Sequence, residues 1–418
     1  MGFHGGEDGY DRNFKVIKTG DLDNSNTENG KKGNKGKFAA AAVLVIIIGA
    51  VSYLYKDNIK EFAAYIPIVS ETFSKDEAEK AVEMDIESGS KSSFVGYGNE
   101  YLYVTKDGVK FFDANNTQKW NYTYTMSSPV TVNNGNYTAV AESQGRVIRM
   151  YNETGEIYTV QPDGAVFRFS INNSGSLAAI IKSEPGYKIL VYNETGQLLM
   201  ERFEQDEGVY PIALDISGDG RILAVSYLDT TGIEMVSKIL LFYTNKEDNK
   251  NTESGDFFGS IEKEGCVVPS VKYMENGSFA AVGDNIIFSI NLQCEEEWTV
   301  DLNNELKGVA FGNGKHMALA LGDEFAGEEG VNSNTVEIIN SSGKVTGSYD
   351  MGVPITYISA YENGVVIGGN KNFVCLNYNG GVQWEYTATY DVKDIILMDN
   401  AKNVILVGNN KAEFMKMN

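Results

Sequence analysis

Histidine is almost absent from this chain, since only His4 and His316 occur among 418 residues. A Ser-His-Asp triad or a histidine-based metal site needs well-placed imidazoles. The three cysteines, Cys266, Cys294 and Cys375, lie far apart, which excludes a disulfide framework and a Cys-x-x-Cys metal motif. There is also no Walker loop and no Gly-x-Ser-x-Gly elbow. We therefore predict a chain that is not an enzyme and that holds no cofactor and no metal ion.

Basic residues are scarce beside acidic ones, with 35 Lys and Arg against 57 Asp and Glu. The first 37 residues hold six acids and seven bases, so the remainder carries 51 acids and 28 bases, a net charge of −23. Such a charge keeps a protein soluble, and it also repels nucleic acid and anionic lipid. Basic proteins, basic peptides or divalent cations fit better as partners, and we expect no nucleic-acid binding.

Long apolar runs are rare, and the one that stands out is the uncharged stretch of eighteen residues Phe38–Tyr55. Its length predicts a transmembrane helix, with a cleaved signal peptide as the alternative. Lysines 31, 32, 35 and 37 precede it, so the positive-inside rule places residues 1–37 in the cytoplasm. The prediction is a single-pass membrane protein with a disordered cytoplasmic tail (1–37), a transmembrane helix (38–55), an extracytoplasmic stalk (56–80) and a folded domain (81–418).

What the chain does have is a repeat, in which a turn centred on Gly or Asn runs directly into an apolar strand. Eight copies begin at positions 98, 135, 175, 218, 277, 314, 364 and 401. The spacings between successive copies are 37, 40, 43, 59, 37, 50 and 37 residues. A period near 40 in an all-strand pattern is typical of a β-propeller with one blade per repeat.

A second hairpin motif follows most of these turns by about twenty residues. One copy reads Val191-Tyr192-Asn193-Glu194-Thr195-Gly196, and it recurs in most of the other repeats. Asn and Gly suit such turns because they tolerate a positive φ. All three tryptophans, Trp120, Trp298 and Trp384, share one position of this hairpin, and Tyr158 takes the same place in the second repeat. Regular repetition of this kind indicates packing between blades rather than an aromatic binding cage.

This repeat resembles the quinoprotein-like (PQQ-like) propeller repeat over roughly Ser92–Asn418. The family's blades carry an Asp/Asn-rich turn that ends in Gly and then a strand bearing Trp, as here. The resemblance implies a propeller fold, which serves both alcohol dehydrogenases that hold a quinone and scaffolds that hold only proteins. The dehydrogenases use an adjacent Cys-Cys pair and a calcium set, and no adjacent Cys pair exists here. The layout of one anchor and one propeller also resembles an uncharacterised family of Gram-positive envelope proteins.

The two ends of the repeat region predict how the ring closes. The last repeat has strands near 394–398, 403–407 and 411–417, and the chain then stops one strand short. An open blade edge is a liability. The strand-like stretch Ala81–Ile86 precedes the first complete blade, so we expect it to supply the missing outer strand. The fold class predicted is all-β, an eight-bladed propeller with seven blades as the alternative.

Candidate binding residues lie where the chain departs from the repeat. The long spacings place insertions at Asn245–Asp256 and Gly322–Asn334, and the second joins the second and third strands of its blade. Loops that exceed the needs of a fold often carry function, although an unselected insertion is an alternative. The partner-binding residues proposed are, in chain order, Tyr210, Tyr227, Asp229, Asp323, Glu324, Phe325, Glu328 and Glu329.

These residues predict a membrane-anchored, non-catalytic scaffold or sensor that binds a protein or peptide outside the membrane. The alternative is an extracytoplasmic quinoprotein-type or hydrolytic enzyme.

Overall fold

The described part of the chain is folded into a ring of β-strands. This computed structural model describes residues 79–86, 93–245, 248, 255–312, 314–322, 334–398 and 401–417, and of 79–81 the backbone alone. These residues form 32 strands in eight four-stranded antiparallel sheets. The predicted eight-bladed propeller is confirmed, and the seven-bladed alternative is wrong.

The first strand of the chain, β1 (Glu79–Asp85), belongs to the last blade, and the next sixteen strands form blades 1 to 4 in chain order. Blade 1 contains β2 (Ser93–Tyr97), β3 (Glu100–Thr105), β4 (Gly108–Phe112) and β5 (Gln118–Thr123). Blade 2 contains β6 (Pro129–Asn134), β7 (Tyr137–Glu142), β8 (Ile148–Asn152) and β9 (Gly155–Val160). Blade 3 contains β10 (Ala165–Ile171), β11 (Leu177–Ser183), β12 (Gly186–Tyr192) and β13 (Leu198–Glu204). Blade 4 contains β14 (Val209–Ile216), β15 (Ile222–Asp229), β16 (Val236–Tyr243) and β17 (Phe257–Glu264).

The remaining strands form blades 5 to 8. Blade 5 contains β18 (Ser270–Tyr273), β19 (Phe279–Val282), β20 (Ile286–Ile290) and β21 (Glu296–Asp301). Blade 6 contains β22 (Glu305–Gly312), β23 (His316–Gly322), β24 (Thr335–Asn340) and β25 (Val345–Asp350). Blade 7 contains β26 (Tyr357–Tyr361), β27 (Gly364–Gly369), β28 (Asn372–Leu376) and β29 (Val382–Thr387). Blade 8 contains β30 (Asp394–Leu397), β31 (Asn403–Val407), β32 (Lys411–Lys416) and β1.

The ring is closed by pairing the two ends of the domain. β1 lies antiparallel to β32, with Glu79 opposite Lys416 and Asp85 opposite Lys411. The main-chain N–H of Ile86 then donates to Asn410 O at 2.9 Å. The predicted closing strand is thereby confirmed. It begins at Glu79, so its first two residues fall inside the segment predicted as stalk.

The propeller has two distinct faces. First strands of successive sheets lie against one another at the centre of the ring, as β10 does with β14 and β14 with β18. They run in the same direction, because Asp215 near the end of β14 accepts hydrogen bonds from Ser170 Oγ near the end of β10 and from the N–H of Tyr273 at the end of β18. The connections between blades and the turns between second and third strands thus share one side, the upper face. The lower face carries the other turns.

Each hydrophobic core lies between two neighbouring blades. In β11, Leu177 and Ile181 pack with residues of blade 2, whereas Ala178 and Ile180 pack with residues of blade 4. The second strands are therefore buried on both faces, which is why they read as continuous apolar runs instead of alternating patterns. Each large aliphatic side chain buried in this way stabilises the fold by about 1.5–3 kcal/mol.

In four blades, a repeated aromatic position joins the blade to the one that follows. Its side chain follows a β-bulge in the fourth strand and donates a hydrogen bond to a main-chain oxygen of the following blade. The distances from the Trp Nε1 or Tyr OH donor to the main-chain oxygen are 2.9 Å for Trp120 to Glu153, 2.7 Å for Tyr158 to Gly175, 3.0 Å for Trp298 to Ser341 and 2.6 Å for Trp384 to Ala401. The predicted packing role of these rings is confirmed.

Several predictions fall on residues outside those described. They are the cytoplasmic tail, the transmembrane helix Phe38–Tyr55 and the stalk as far as residue 78. Within the described residues, we find no helix with the length and apolar character that a membrane crossing requires.

Candidate functional site

Three of the eight candidate residues lie on blade 4. Tyr210 is near the start of β14, and Tyr227 and Asp229 are near the end of β15, all towards the upper face. The other five, Asp323, Glu324, Phe325, Glu328 and Glu329, lie outside the described residues. The two ends of their loop, Gly322 and Asn334, are described and lie on the upper face, between the second and third strands as predicted.

Tyr227 is a structural residue between blades 3 and 4. Its side chain is 3% exposed and packs in the core that the two blades share. Its hydroxyl donates to Glu204 Oε1 at 3.0 Å, and Arg202 Nε donates to the same oxygen at 2.5 Å. Burial, reinforced by the charge of Glu204, raises the pKa of Tyr227 well above its usual range. The ring is therefore not available to a partner, in contrast to the proposal made from the sequence.

Asp229 holds the following loop in place. Its Oδ1 accepts hydrogen bonds from Thr231 Oγ1 at 2.6 Å and from the N–H of Thr231 at 2.9 Å, while Lys238 Nζ lies 2.9 Å from its Oδ2. These contacts, the Thr231 hydroxyl first, lower the pKa of Asp229 below the usual range of a carboxyl group. Asp229 therefore stays ionised and organises the loop, and both of its oxygens are engaged by groups of the protein.

The loop between β15 and β16 is tied to the structure at both ends. The N–H of Thr230 donates to Gly208 O at 2.8 Å, and the hydroxyl of Thr230 donates to the same oxygen at 2.9 Å. At the other end the N–H of Gly265 donates to Met235 O at 2.9 Å. The loop thus joins the connection from blade 3 to the connection towards blade 5, so a side chain at its tip is held on a fixed frame.

This frame presents apolar side chains to solvent. Ile233 is fully exposed, Met235 is 50% exposed, and Tyr210 on the adjoining inner strand is 43% exposed. The loop containing Ile233 was expected on this face from the sequence, but neither Ile233 nor Met235 was among the proposed binding residues, since Asp, Thr and Gly beside them are typical of a polar turn. The feature of the sequence that could have indicated a binding surface is the presence of two large apolar residues inside a loop that the repeat does not need.

Acidic residues lie in and beside the segments that carry these apolar side chains. Asp206 and Glu207 lie in the connection that binds the loop, Glu234 lies between Ile233 and Met235, and Glu264 ends β17 beside the loop. All four are exposed. We call this surface the blade 4 tip; it comprises Asp206, Glu207, Tyr210, Ile233, Glu234, Met235 and Glu264. Acidic surfaces in general favour encounter with cationic groups.

Groups that could perform chemistry are dispersed over the described part of the chain. No three His, Cys, Asp or Glu side chains there are grouped so as to hold a metal ion. Burial raises the pKa of the Cys266 thiol to about 11 and that of Cys375 to about 12, so neither is a ready nucleophile. His316 stacks on Tyr378 with 4.4 Å between ring centroids, and burial lowers its pKa. These donor groups do not fit the calcium and paired cysteines of a quinone site.

Comparisons with known proteins identify a family and leave function open. A family model described as a family of unknown function (DUF5711) matches residues 70–417. The chain belongs to this family. A search of the curated proteins gives no match.

Solved structures with low identity resemble this chain. BamB from Moraxella catarrhalis is 10% identical with a TM-score of 0.49, covering 81% of this chain and 100% of that one. The β-propeller domain of Swd1 from Myceliophteria thermophila is 12% identical with a TM-score of 0.45, covering 75% and 100%. The Pan2 WD40 domain of Neurospora crassa is 7% identical with a TM-score of 0.44, covering 70% and 89%. The finer resemblance to PQQ-like blades stays a prediction.

Proposed function

We propose that this protein is a non-catalytic scaffold or sensor that binds a basic protein or peptide through the upper face of its propeller. The observation that carries the proposal is the blade 4 tip, where Ile233, Met235 and Tyr210 are exposed on a hydrogen-bonded frame among acidic side chains. A rigid frame lowers the entropy cost of association, because the loop does not have to be ordered on binding. A partner segment with an apolar residue flanked by Lys or Arg complements both features.

The same proposal includes a second contact at the loop Gly322–Asn334. Its acids Asp323, Glu324, Glu328 and Glu329 would add to the field, with Phe325 as an apolar anchor. Phe325→Ala is expected to leave the association rate unchanged and to speed dissociation by a few-fold to about a hundredfold. Neutralising the four acids is expected to slow association, most strongly at low salt.

We further propose that Phe38–Tyr55 anchors the protein in a membrane and that the propeller lies on the extracytoplasmic side. The asymmetric lysines before Phe38 support this orientation. Protease added to intact, wall-stripped cells should digest the propeller and leave an epitope at residue 5 protected. Digestion of the epitope with protection of the propeller would reverse the orientation.

The binding proposal is tested by site-directed photo-crosslinking in intact cells. A photoreactive side chain at position 233 should capture a basic partner, and capture should fall as salt is raised. The double change Ile233→Ser and Met235→Ser should abolish capture from a photoreactive group at position 210. Val382→Ser is the matched control, because Val382 is 45% exposed on the lower side of blade 7. Capture that survives the double change, or that is lost equally in the control, would rule out this surface.

A further inference from the structure

A second feature of the upper face lies between blades 7 and 8. A cleft of about 230 Å³ opens between the turn that joins β27 to β28 and the connection from β29 to β30. Its lining includes Tyr357 and Phe373 as aromatic surface, with Lys371, Asp391 and Lys393 as charged groups. Blades 7 and 8 are three and four places along the ring from blade 4, so this cleft is separate from the blade 4 tip.

The walls of the cleft are held by main-chain hydrogen bonds. The N–H of Ala388 donates to Lys371 O at 2.8 Å, which joins the turn to the interblade connection. The N–H of Lys393 donates to Val407 O at 2.7 Å, which fixes the other wall on blade 8. Tyr357 OH donates to Asp394 Oδ1 at 2.8 Å and so ties blade 7 to blade 8 near the cleft. The cavity is therefore preformed, as binding sites for small molecules usually are.

Lys371 has a backbone conformation that lysine disfavours. The turn runs through Asn370 at φ 50° and Lys371 at φ 70°, both in the left-handed region. Hairpin turns of this type prefer Asn followed by Gly, because Gly has no Cβ to strain. Lys371 Nζ lies 3.1 Å from Asp391 Oδ1, but both side chains are well exposed. Such a pair contributes less than the left-handed conformation costs, so stability does not account for a lysine here.

Two of the lining residues, Lys371 and Lys393, carry the positive charge that a carboxylate ligand requires. Lys393 is exposed, and none of the described residues forms an ion pair with it. Asp391 offsets one charge and could accept a hydrogen bond from an amino group, while the aromatic surface could contact an aliphatic part. Asp394 is also near, but it accepts the hydrogen bond from Tyr357 and another from the N–H of Ile395 at 2.9 Å.

We propose that this cleft binds a small carboxylate ligand through Lys371 and Lys393, with the free carboxylate of an α-amino acid or of a peptide C-terminus as its source. The site does not depend on the binding function proposed for the blade 4 tip. In this proposal the ammonium group of Lys371 reaches the ligand, which explains why a lysine is kept at a strained backbone position. Backbone strain of this kind is common at functional sites.

The test uses the full-length protein with three probes: alanine, trialanine and trialanine amide. Alanine or trialanine should bind in a weak-affinity measurement such as saturation-transfer NMR, and trialanine amide should not. Lys371→Gly and Lys393→Gln should each weaken binding about tenfold to a hundredfold, the size expected for a lost charge-assisted hydrogen bond. Binding of alanine alone would identify a free amino acid as the ligand, and binding of trialanine would identify a peptide terminus.

The same variants separate binding from folding. Lys371→Gly should raise the midpoint of thermal unfolding while it removes binding, because Gly relieves the strain. Gln144→Gly is the matched control: Gln144 has φ 59° in the corresponding turn of blade 2, so this change should also raise the midpoint but leave binding intact. The proposal is overturned if trialanine amide binds as well as trialanine, if no probe binds at millimolar concentration, or if Lys371→Gly keeps binding or lowers the midpoint.

Discussion

The lower and upper faces of the propeller follow different rules. On the lower face the turns between third and fourth strands repeat one chemistry: the side chain of Asp113, Asn193, Asn291, Asn340 or Asn377 accepts hydrogen bonds from the N–H groups two and four residues later. On the upper face the connections share no motif and differ in length. The lower-face turns therefore fix the geometry of their hairpins, whereas the upper-face connections vary from blade to blade, and the proposed binding surfaces lie there.

The largest expected effect comes from deleting the strand that closes the ring, because both faces depend on the closed ring. A chain that starts at residue 92 lacks β1, and it should lose roughly 5 kcal/mol of stability or aggregate, because the hydrogen bonds to β32 contribute about 1 kcal/mol each and the edge is exposed. The measurement is solubility and thermal unfolding beside a chain that starts at residue 76. Identical behaviour of the two chains would disprove ring closure by β1.

The second prediction compares the loss of stability at one glycine on each face. Gly343 on the lower face has φ 76°, and a Cβ there would lie 2.6 Å from the Trp298 ring. Gly343→Ala should cost about 2–4 kcal/mol from left-handed strain and overpacking. Gly352 on the upper face has φ 66° and open space around it, so Gly352→Ala should cost only about 1 kcal/mol. Equal losses in urea unfolding would contradict the difference between the faces.

A smaller effect is expected from one lower-face asparagine. Asn193 Oδ1 accepts from the N–H groups of Thr195 at 3.1 Å and Gln197 at 2.9 Å. Asn193→Ala should cost about 1–2 kcal/mol, because both donors lose their acceptor. Asn193→Asp keeps the acceptor and should stay within about 0.5 kcal/mol of the parent protein. If the two variants unfold at the same urea concentration, the side-chain acceptor is not what stabilises the turn.

The smallest effect on stability is expected at the blade 4 tip. Ile233 and Met235 are exposed, so replacing both with Ser should change the free energy of unfolding by no more than about 0.5 kcal/mol. The contrasting change is Ile239→Ser in the neighbouring strand, where a fully buried side chain is lost at a cost of about 3 kcal/mol or more. A destabilised tip variant would mean that these side chains serve the fold and not a partner.

The parts of the fold that could be predicted are those that depend on the residues of local turns. Each repeated Gly or Asn turn leads into a second strand, and the tryptophans mark blade interfaces. These features could be recognised because they recur at equivalent places in the repeat. The burial of Tyr227 could not be predicted, since second strands are buried on both faces and alternation carries no information there. The loop that carries Ile233 is held by hydrogen bonds from Thr230 to Gly208 and from Gly265 to Met235, which join residues that are distant in sequence. Nothing in the sequence indicated the positive φ of Lys371 either, because Asn-Lys is not a typical sequence for such a turn.

The pairing of β1 with β32 has a consequence for how the protein is made. Asp85 pairs with Lys411, 326 positions later, so β1 is synthesised first and has no partner until nearly the whole chain has followed. Seven blades can form from neighbouring hairpins during that time, because each needs only consecutive strands. The eighth requires the most distant contact in the domain, whose loop-closure entropy makes it slow. Until that contact forms, the nascent ring carries a free strand and an open edge, and this interval is when the protein is most exposed to aggregation.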